Sequence, residues 1–167
     1  FAMTEMGRLP MMQFVLPTVF LACAMSICSK YHIIEAGGIS ALELNLSCPN
    51  VRHGRLFGRD PQSVSHLTGL VRKEVPGTPI WVKLPPDCPE LPDVCQAAES
   101  AGADALTISN TIPGMAVDLN ALRPALPRRH GGLSGPAIRP IILRLVDMAL
   151  SRVSIPIIAC GGVCRAE

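Results

Sequence analysis

The chain has 167 residues, within the ~100–200 expected of one domain. Its 49% hydrophobic against 17% charged residues can build a core, which excludes intrinsic disorder. Fifteen Lys and Arg against thirteen Asp and Glu leave a net charge of +2, no footprint for nucleic acid or an anionic membrane.

Fourteen glycines and sixteen prolines without a repeat period point to many short connections between elements. In chain order, Phe14 to Cys28 is the longest apolar stretch, shorter than the roughly 20 residues of a membrane span and interrupted by Pro17. Arg8 ahead of it and Ala22-Cys23-Ala24 within it also fit a signal peptide; a buried strand over 18–25 explains the same residues. Leu42 to Leu46 reads as a strand. Residues 61–75 read as a helix, opened by Asp60 as N-cap and Pro61 at the first position. Ile80 to Leu84 is the next strand, stopped by Pro85-Pro86. Leu91 to Ala101 is helical and ends at Gly102. Asp104 to Ser109 is a strand, Pro136 to Ser151 a helix, and Ile155 to Ala159 the last strand.

Strand and helix alternate as in a parallel α/β protein. A doubly wound sheet would carry a glycine-rich turn directly after its first strand, and this chain does not. Five strands, counting 18–25, are too few to close a (β/α)8 TIM barrel of about 250 residues. The sheet is open, or the chain is a piece of a barrel.

The seven cysteines (Cys23, Cys28, Cys48, Cys88, Cys95, Cys160 and Cys164) include no pair at zinc-knuckle or redox spacing. Most lie among Ala, Ile and Val, where a free thiol acts as a small buried hydrophobe, and the reading is a reduced, cytoplasmic protein. His32, His53, His66 and His130 form no metal-ligand pattern, so no metal is expected.

Barrel chemistry collects at the C-terminal ends of the strands. Those ends carry Asn45-Leu46-Ser47-Cys48-Pro49-Asn50, then Lys83, then Asn110-Thr111, then Gly161-Gly162. Cys48, flanked by two Asn and a Pro, sits poorly as a core residue. Lys83, inside an apolar strand, needs an anion or an electron-rich ligand unless it snorkels to the surface. Asn110-Thr111 and Gly161-Gly162 could each be plain turns, yet glycines at a strand end also let backbone N–H groups approach a phosphate. Gly131-Gly132-Leu133-Ser134-Gly135-Pro136 describes a loop feeding a helix N-terminus, with Ser134 able to cap and Pro136 suited to the first turn. With Gly161-Gly162 it suggests a phosphate-bearing cofactor.

Glu43 to Asn50, Val82-Lys83-Leu84, Asn110-Thr111 with Gly114-Met115, Gly131 to Ala137, and Ile155 to Ile158 with Gly161-Gly162 resemble the dihydroorotate dehydrogenases, nearest the class 1B, NAD-linked catalytic subunits. The resemblance runs from about residue 41 to the C-terminus, with the motifs in the family's order and spacing. It implies FMN-dependent oxidation of dihydroorotate to orotate in pyrimidine synthesis on a partial TIM barrel. Cys48 would be the base that removes the C5 proton, the C6 hydrogen leaving as hydride. Asn45 would contact FMN and substrate, and Asn110 and Thr111 the substrate. Lys83 would lie against the flavin ring, with Ser109, Gly135, Gly161 and Gly162 also on FMN. The implied partner is an electron-transfer subunit carrying FAD and a [2Fe–2S] cluster that reduces NAD, in a heterotetramer built on a homodimer.

Residues 1–40 match the family poorly. Its N-terminal lysine over the flavin and its Asn-Ala-Ile-Gly-Leu-like substrate loop are not recognisable, and Ala22 stands where a flavin-contacting Asn is expected. The family's last strand, with its Gly-Thr phosphate contact, would lie beyond Glu167. The chain therefore reads as a single, incomplete FMN-binding domain, an internal fragment or a partly scrambled copy of a full barrel. Two other functions compete: a dihydropyrimidine dehydrogenase-like pyrimidine reductase, with a similar Asn-Leu-Ser-Cys-Pro loop, and a non-catalytic remnant of the barrel.

Overall fold

The computed structural model describes residues 40–47 and 57–164. The strand expected over 18–25 lies outside these residues, as does Cys48. Four parallel strands form one sheet: β1 (Leu42–Asn45), β2 (Ile80–Leu84), β3 (Ala105–Ile108) and a strand at Ile157–Ala159. Three helices connect them, α1 (Pro61–Glu74), α2 (Leu91–Ser100) and α3 (Arg139–Leu150).

The strands lie side by side in chain order. A doubly wound sheet reverses its order at a switch point. A barrel does not, and this sheet is four consecutive strands of one.

The helix starts follow the residues. Asp60 takes an extended backbone and its carboxylate accepts from the Ser63 N–H at 2.8 Å, while Pro61 fills a position whose N–H would have no partner. A bond from the Ser63 hydroxyl, together with that from its N–H, holds the Asp60 carboxyl below its usual range. At the third helix the expectation needs correcting. Residues 136–138 form a tight 3-10 turn, the α-helix begins at Arg139, and neither start has a side-chain cap, so Ser134 does not cap it. Pro140 inside the first α-turn fits there because no intrahelical N–H is due at that point.

The connection between β3 and α3 was expected to be loop. It contains two short antiparallel pairs: β4 (Ile112–Gly114) with β7 (Gly131–Leu133), and β5 (Val117–Asp118) with β6 (Arg123–Pro124). The last parallel strand is therefore β8.

Alternation along the strands sorts their two faces. Leu42, Leu44, Ile80, Val82, Leu84, Leu106 and Ile108 are buried in one cluster with Val64, Val71, Leu91, Val94, Ile142 and Leu145 of the helices. The opposite face carries Glu43, Asn45, Trp81, Lys83 and Thr107, because parallel register pairs Glu43 with Trp81, Asn45 with Lys83, and Lys83 with Thr107.

Arg72 fastens the other end of the strands. Its guanidinium donates to Gly102 O at 2.7 Å and Thr78 O at 2.9 Å, and pairs with the Asp104 carboxylate. That carboxylate also accepts from the Ile80 N–H at 2.7 Å, so one fork ties α1 to the starts of β2 and β3. Arg72→Ala is expected to lower stability by about 2 kcal/mol, read from the urea midpoint, because charged and backbone partners lose their bonds together. Arg72→Lys should recover little, since an ammonium cannot span the fork.

The thiols separate by environment. Burial pushes Cys95 up to about 12 and raises Cys88 as well, whereas Cys164 is exposed. Only the thiolate is nucleophilic. Iodoacetamide at pH 8 should therefore label Cys164 in the native protein and reach Cys95 only after unfolding, as mapped by peptide mass spectrometry.

Candidate functional site

The polar residues gather where the strands end. The β1–β2 ladder continues past β1 through Leu46 N–H to Lys83 O at 3.0 Å. On the other side, Ser109 N–H donates to Cys160 O at 3.1 Å. Ser47, Lys83, Ser109, Asn110 and Gly161 are thus brought to one end of the sheet by backbone pairing. Of the strand ends expected to converge, those carrying Asn45, Lys83, Asn110-Thr111 and Gly161-Gly162 fall among the described residues. Cys48 and Asn50 lie outside the described residues, directly after Ser47.

Lys83 does not snorkel. Its side chain is only 15% exposed, and Nζ lies 3.8 Å from Oε1 of the buried Glu43. The other oxygen of Glu43 accepts from the Thr107 hydroxyl at 2.9 Å. A buried carboxylate needs such partners to offset its lost hydration. The three residues span three neighbouring strands and hold a cation on the face turned from the helices.

A second network joins the amides. Asn45 Oδ1 accepts from both the N–H (3.1 Å) and the hydroxyl (2.6 Å) of Ser47. Asn110 Nδ2 donates to the Ser47 oxygen at 2.8 Å, and Asn110 Oδ1 accepts from the Thr111 N–H at 2.8 Å. Glu43, Ser47 and Thr107 had no role assigned from the sequence. Their signal was positional: Glu43 and Thr107 sit at odd numbers on the strand face of Asn45 and Lys83, and Ser47 is the next odd position past β1.

Two glycine contacts join motifs that stand apart in the chain. A Cβ on Gly132 would meet Thr111 Oγ1 at 2.0 Å, so Thr111 packs directly onto β7. Gly162 has φ +69, and a Cβ there would fall 2.4 Å from Gly135 O. Gly135 itself has φ +90 and open space where a side chain would be. Bare backbone from two loops therefore meets at the turn that starts the third helix. An anion is favoured at such a place by unpaired N–H groups and by the helix dipole. The open space beside Gly135 and the side-chain-free backbone at Gly162 fit a phosphate group there.

Among the described residues, no group of three His, Cys, Asp or Glu side chains could hold a metal ion. No helix among them is long and apolar enough to cross a membrane.

Comparison with known proteins agrees with this geometry. The chain is 50% identical over 137 residues to the protein named dihydroorotate dehydrogenase B (NAD(+)), catalytic subunit, of Bacillus pumilus, covering 81% of this chain and 44% of that protein. The protein of the same name from Listeria welshimeri is 45% identical over 140 residues, covering 83% and 45%. The chain thus spans less than half the length of these curated relatives. Among solved structures, the ligand-free dihydroorotate dehydrogenase of Eimeria tenella superposes with a TM-score of 0.53 at 22% identity, covering 74% of this chain and 40% of that one, which supports the barrel fold. The family profile for dihydroorotate dehydrogenase matches residues 27–167, reaching back ahead of the motifs that begin near residue 41. With that match over most of its length, the chain belongs to the dihydroorotate dehydrogenase family.

Proposed function

We propose that the protein oxidises dihydroorotate to orotate with FMN, for pyrimidine synthesis, as the NAD-linked catalytic subunit of its family. The observation that carries this reading is the meeting of a held cation, two ordered amides and a bare-backbone cradle at one end of the parallel strands. Membership of the family supports it, as do the names of the relatives.

The cradle fits the FMN phosphate: Gly135, Gly161 and Gly162 would hold it through backbone N–H groups, with Ser109 and Asn45 on the rest of the cofactor. When bound, FMN supplies an acceptor for the two electrons that leave with the C6 hydrogen. Asn45, Asn110 and Thr111 hold the substrate ring, which fixes its two reacting carbons against the two groups that act on them. Cys48 takes the C5 proton at its sulfur; a thiol with an ordinary pKa near 8.5 is a workable base close to neutral pH. Loss of that proton and of the C6 hydride leaves the C5=C6 double bond of orotate. Lys83, kept in place by Glu43, puts positive charge where negative charge gathers as the electrons arrive.

The same reading places FAD and a [2Fe–2S] cluster on a partner electron-transfer subunit that reduces NAD, around a homodimer of catalytic subunits in a heterotetramer. It also places the protein in the cytoplasm. The relatives' name, a catalytic subunit of an NAD-linked enzyme, supports the partner.

The direct test adds dihydroorotate anaerobically to the FMN-loaded protein and follows bleaching of the flavin. Reduction of uracil by NADPH without any oxidation of dihydroorotate would overturn the assignment. Cys48→Ala is expected to slow flavin bleaching by about 10²–10⁴-fold while leaving orotate binding in place; an unchanged rate rules out Cys48 as the base. Lys83→Gln should slow the same step by about a hundredfold and lower the flavin's midpoint potential. A potential equal to that of the parent would remove Lys83 from this role.

A further inference from the structure

We infer that Ser47 is the positioning residue that sets which way the Asn45 and Asn110 amides face, and with them the donor pattern of the site; this rests on the reading above that the two amides hold dihydroorotate. An Asn side chain has an oxygen end and an NH2 end of nearly the same shape, and hydrogen bonding alone decides between them. Ser47 is 4% exposed, and its hydroxyl has a single proton. That proton goes to Asn45 Oδ1 at 2.6 Å, where the Ser47 N–H also donates at 3.1 Å. Two donors from one residue thus hold the oxygen end of Asn45. That makes Nδ2 the donor end of Asn45, with two protons to offer.

With its proton committed, the Ser47 oxygen can only accept on its other side. The group opposite must be a donor, and it is Asn110 Nδ2 at 2.8 Å, with the Ser47 carbonyl 3.4 Å from the same nitrogen. Asn110 Oδ1 then turns to the Thr111 N–H at 2.8 Å. One proton therefore orders a chain from Asn110 through Ser47 to Asn45, in which each bond polarises the next. The chain joins the ends of β1 and β3 across 63 positions of sequence. Its chemical result is an Asn45 amide set to donate rather than accept, matched to a ligand rich in carbonyl and carboxylate oxygens, as dihydroorotate and orotate are. Alanine at 47 would fill nearly the same space and keep the backbone N–H bond to Asn45 Oδ1, but it would cut the hydroxyl link between Asn45 and Asn110.

The test uses the FMN-loaded protein at its full natural length, with asparagine side chains labelled with 15N, as wild type, Ser47→Ala, Asn110→Ala and the double variant. The first readout is the side-chain amide resonances without ligand. In Ser47→Ala, hydrogen exchange at the Asn110 amide, which loses its hydroxyl acceptor, should quicken about tenfold with little change in the unfolding midpoint. Exchange equal to wild type overturns the proposal, whatever the protein binds. The second readout is orotate affinity by calorimetry. Ser47→Ala should weaken it about tenfold, and less than twofold further in the Asn110→Ala background, because the hydroxyl acts through that amide. Additive losses would mean that Ser47 only supports the fold. A wild type that binds no orotate sinks the dihydroorotate reading instead, while the exchange data still decide on Ser47. Should Ser47→Ala fail to fold, Ser47→Cys carries both readouts, since its thiol fills the space but donates weakly.

Discussion

Four parallel strands with helices on one face impose a two-residue rule on everything else in this chain. Each even-numbered residue from Leu42 to Leu44, Ile80 to Leu84 and Leu106 to Ile108 is committed to the helices. The odd-numbered residues of β1 to β3 are left to the other face, where register stacks Asn45, Lys83 and Thr107 in one row, continued by Ile158 of β8. Polar groups in such a row stand apart from bulk water and have to satisfy one another. Glu43 with Lys83 and Thr107, and Asn45 with Ser47 and Asn110, are two solutions to that one constraint.

The first of these is poorly explained as a stability device. A buried ion pair gives back much of its attraction as desolvation, and apolar residues of similar volume often serve the fold as well or better. Glu43 sits one inward-facing step below Asn45 on β1, and Lys83 lies beside Asn45 on β2. The carboxylate is therefore placed to hold the cation near the strand ends rather than to glue strands together. What the arrangement secures is a charged lysine at a fixed height, which a reaction that gathers negative charge can use.

Most of the fold was legible because its signals are local. The strand at 80–84 and the helix begun by Asp60-Pro61 rest on apolar alternation, an N-cap and proline positions, and each formed within a residue of expectation. The pairing of β4 with β7 was not legible. Ile-Pro-Gly and Gly-Gly-Leu are rich in the residues least favoured in strands, and their partners lie about twenty positions apart. The lack of a cap at Ser134 has a related cause: β7 and the tight turn at 136–138 take up that segment before the α-helix starts. At the site, residue types picked out Asn45, Lys83 and Asn110. Glu43, Ser47 and Thr107 share a parity with Asn45 and Lys83, but their bonds to Lys83 and Asn110, far along the chain, are not revealed by parity alone.

Those long-range contacts also explain how a long excursion can leave from an ordered site and return to it. Between β4 and β7 the chain runs through a small hairpin that exposes Leu119 and Leu122 almost fully. Closing a loop costs only slowly more as it lengthens, so the excursion weighs little provided its two ends are fixed. The ends are fixed by the β4–β7 pairing and by Thr111 seated against Gly132, where any side chain would collide. Gly162 approaching the Gly135 carbonyl fastens the next segment in the same way, backbone against backbone. The Asn110-Thr111 pair and the glycine cradle are therefore parts of one rigid junction. A bulky residue at position 132 would disturb both, although it is neither one of the amides nor one of the cradle glycines.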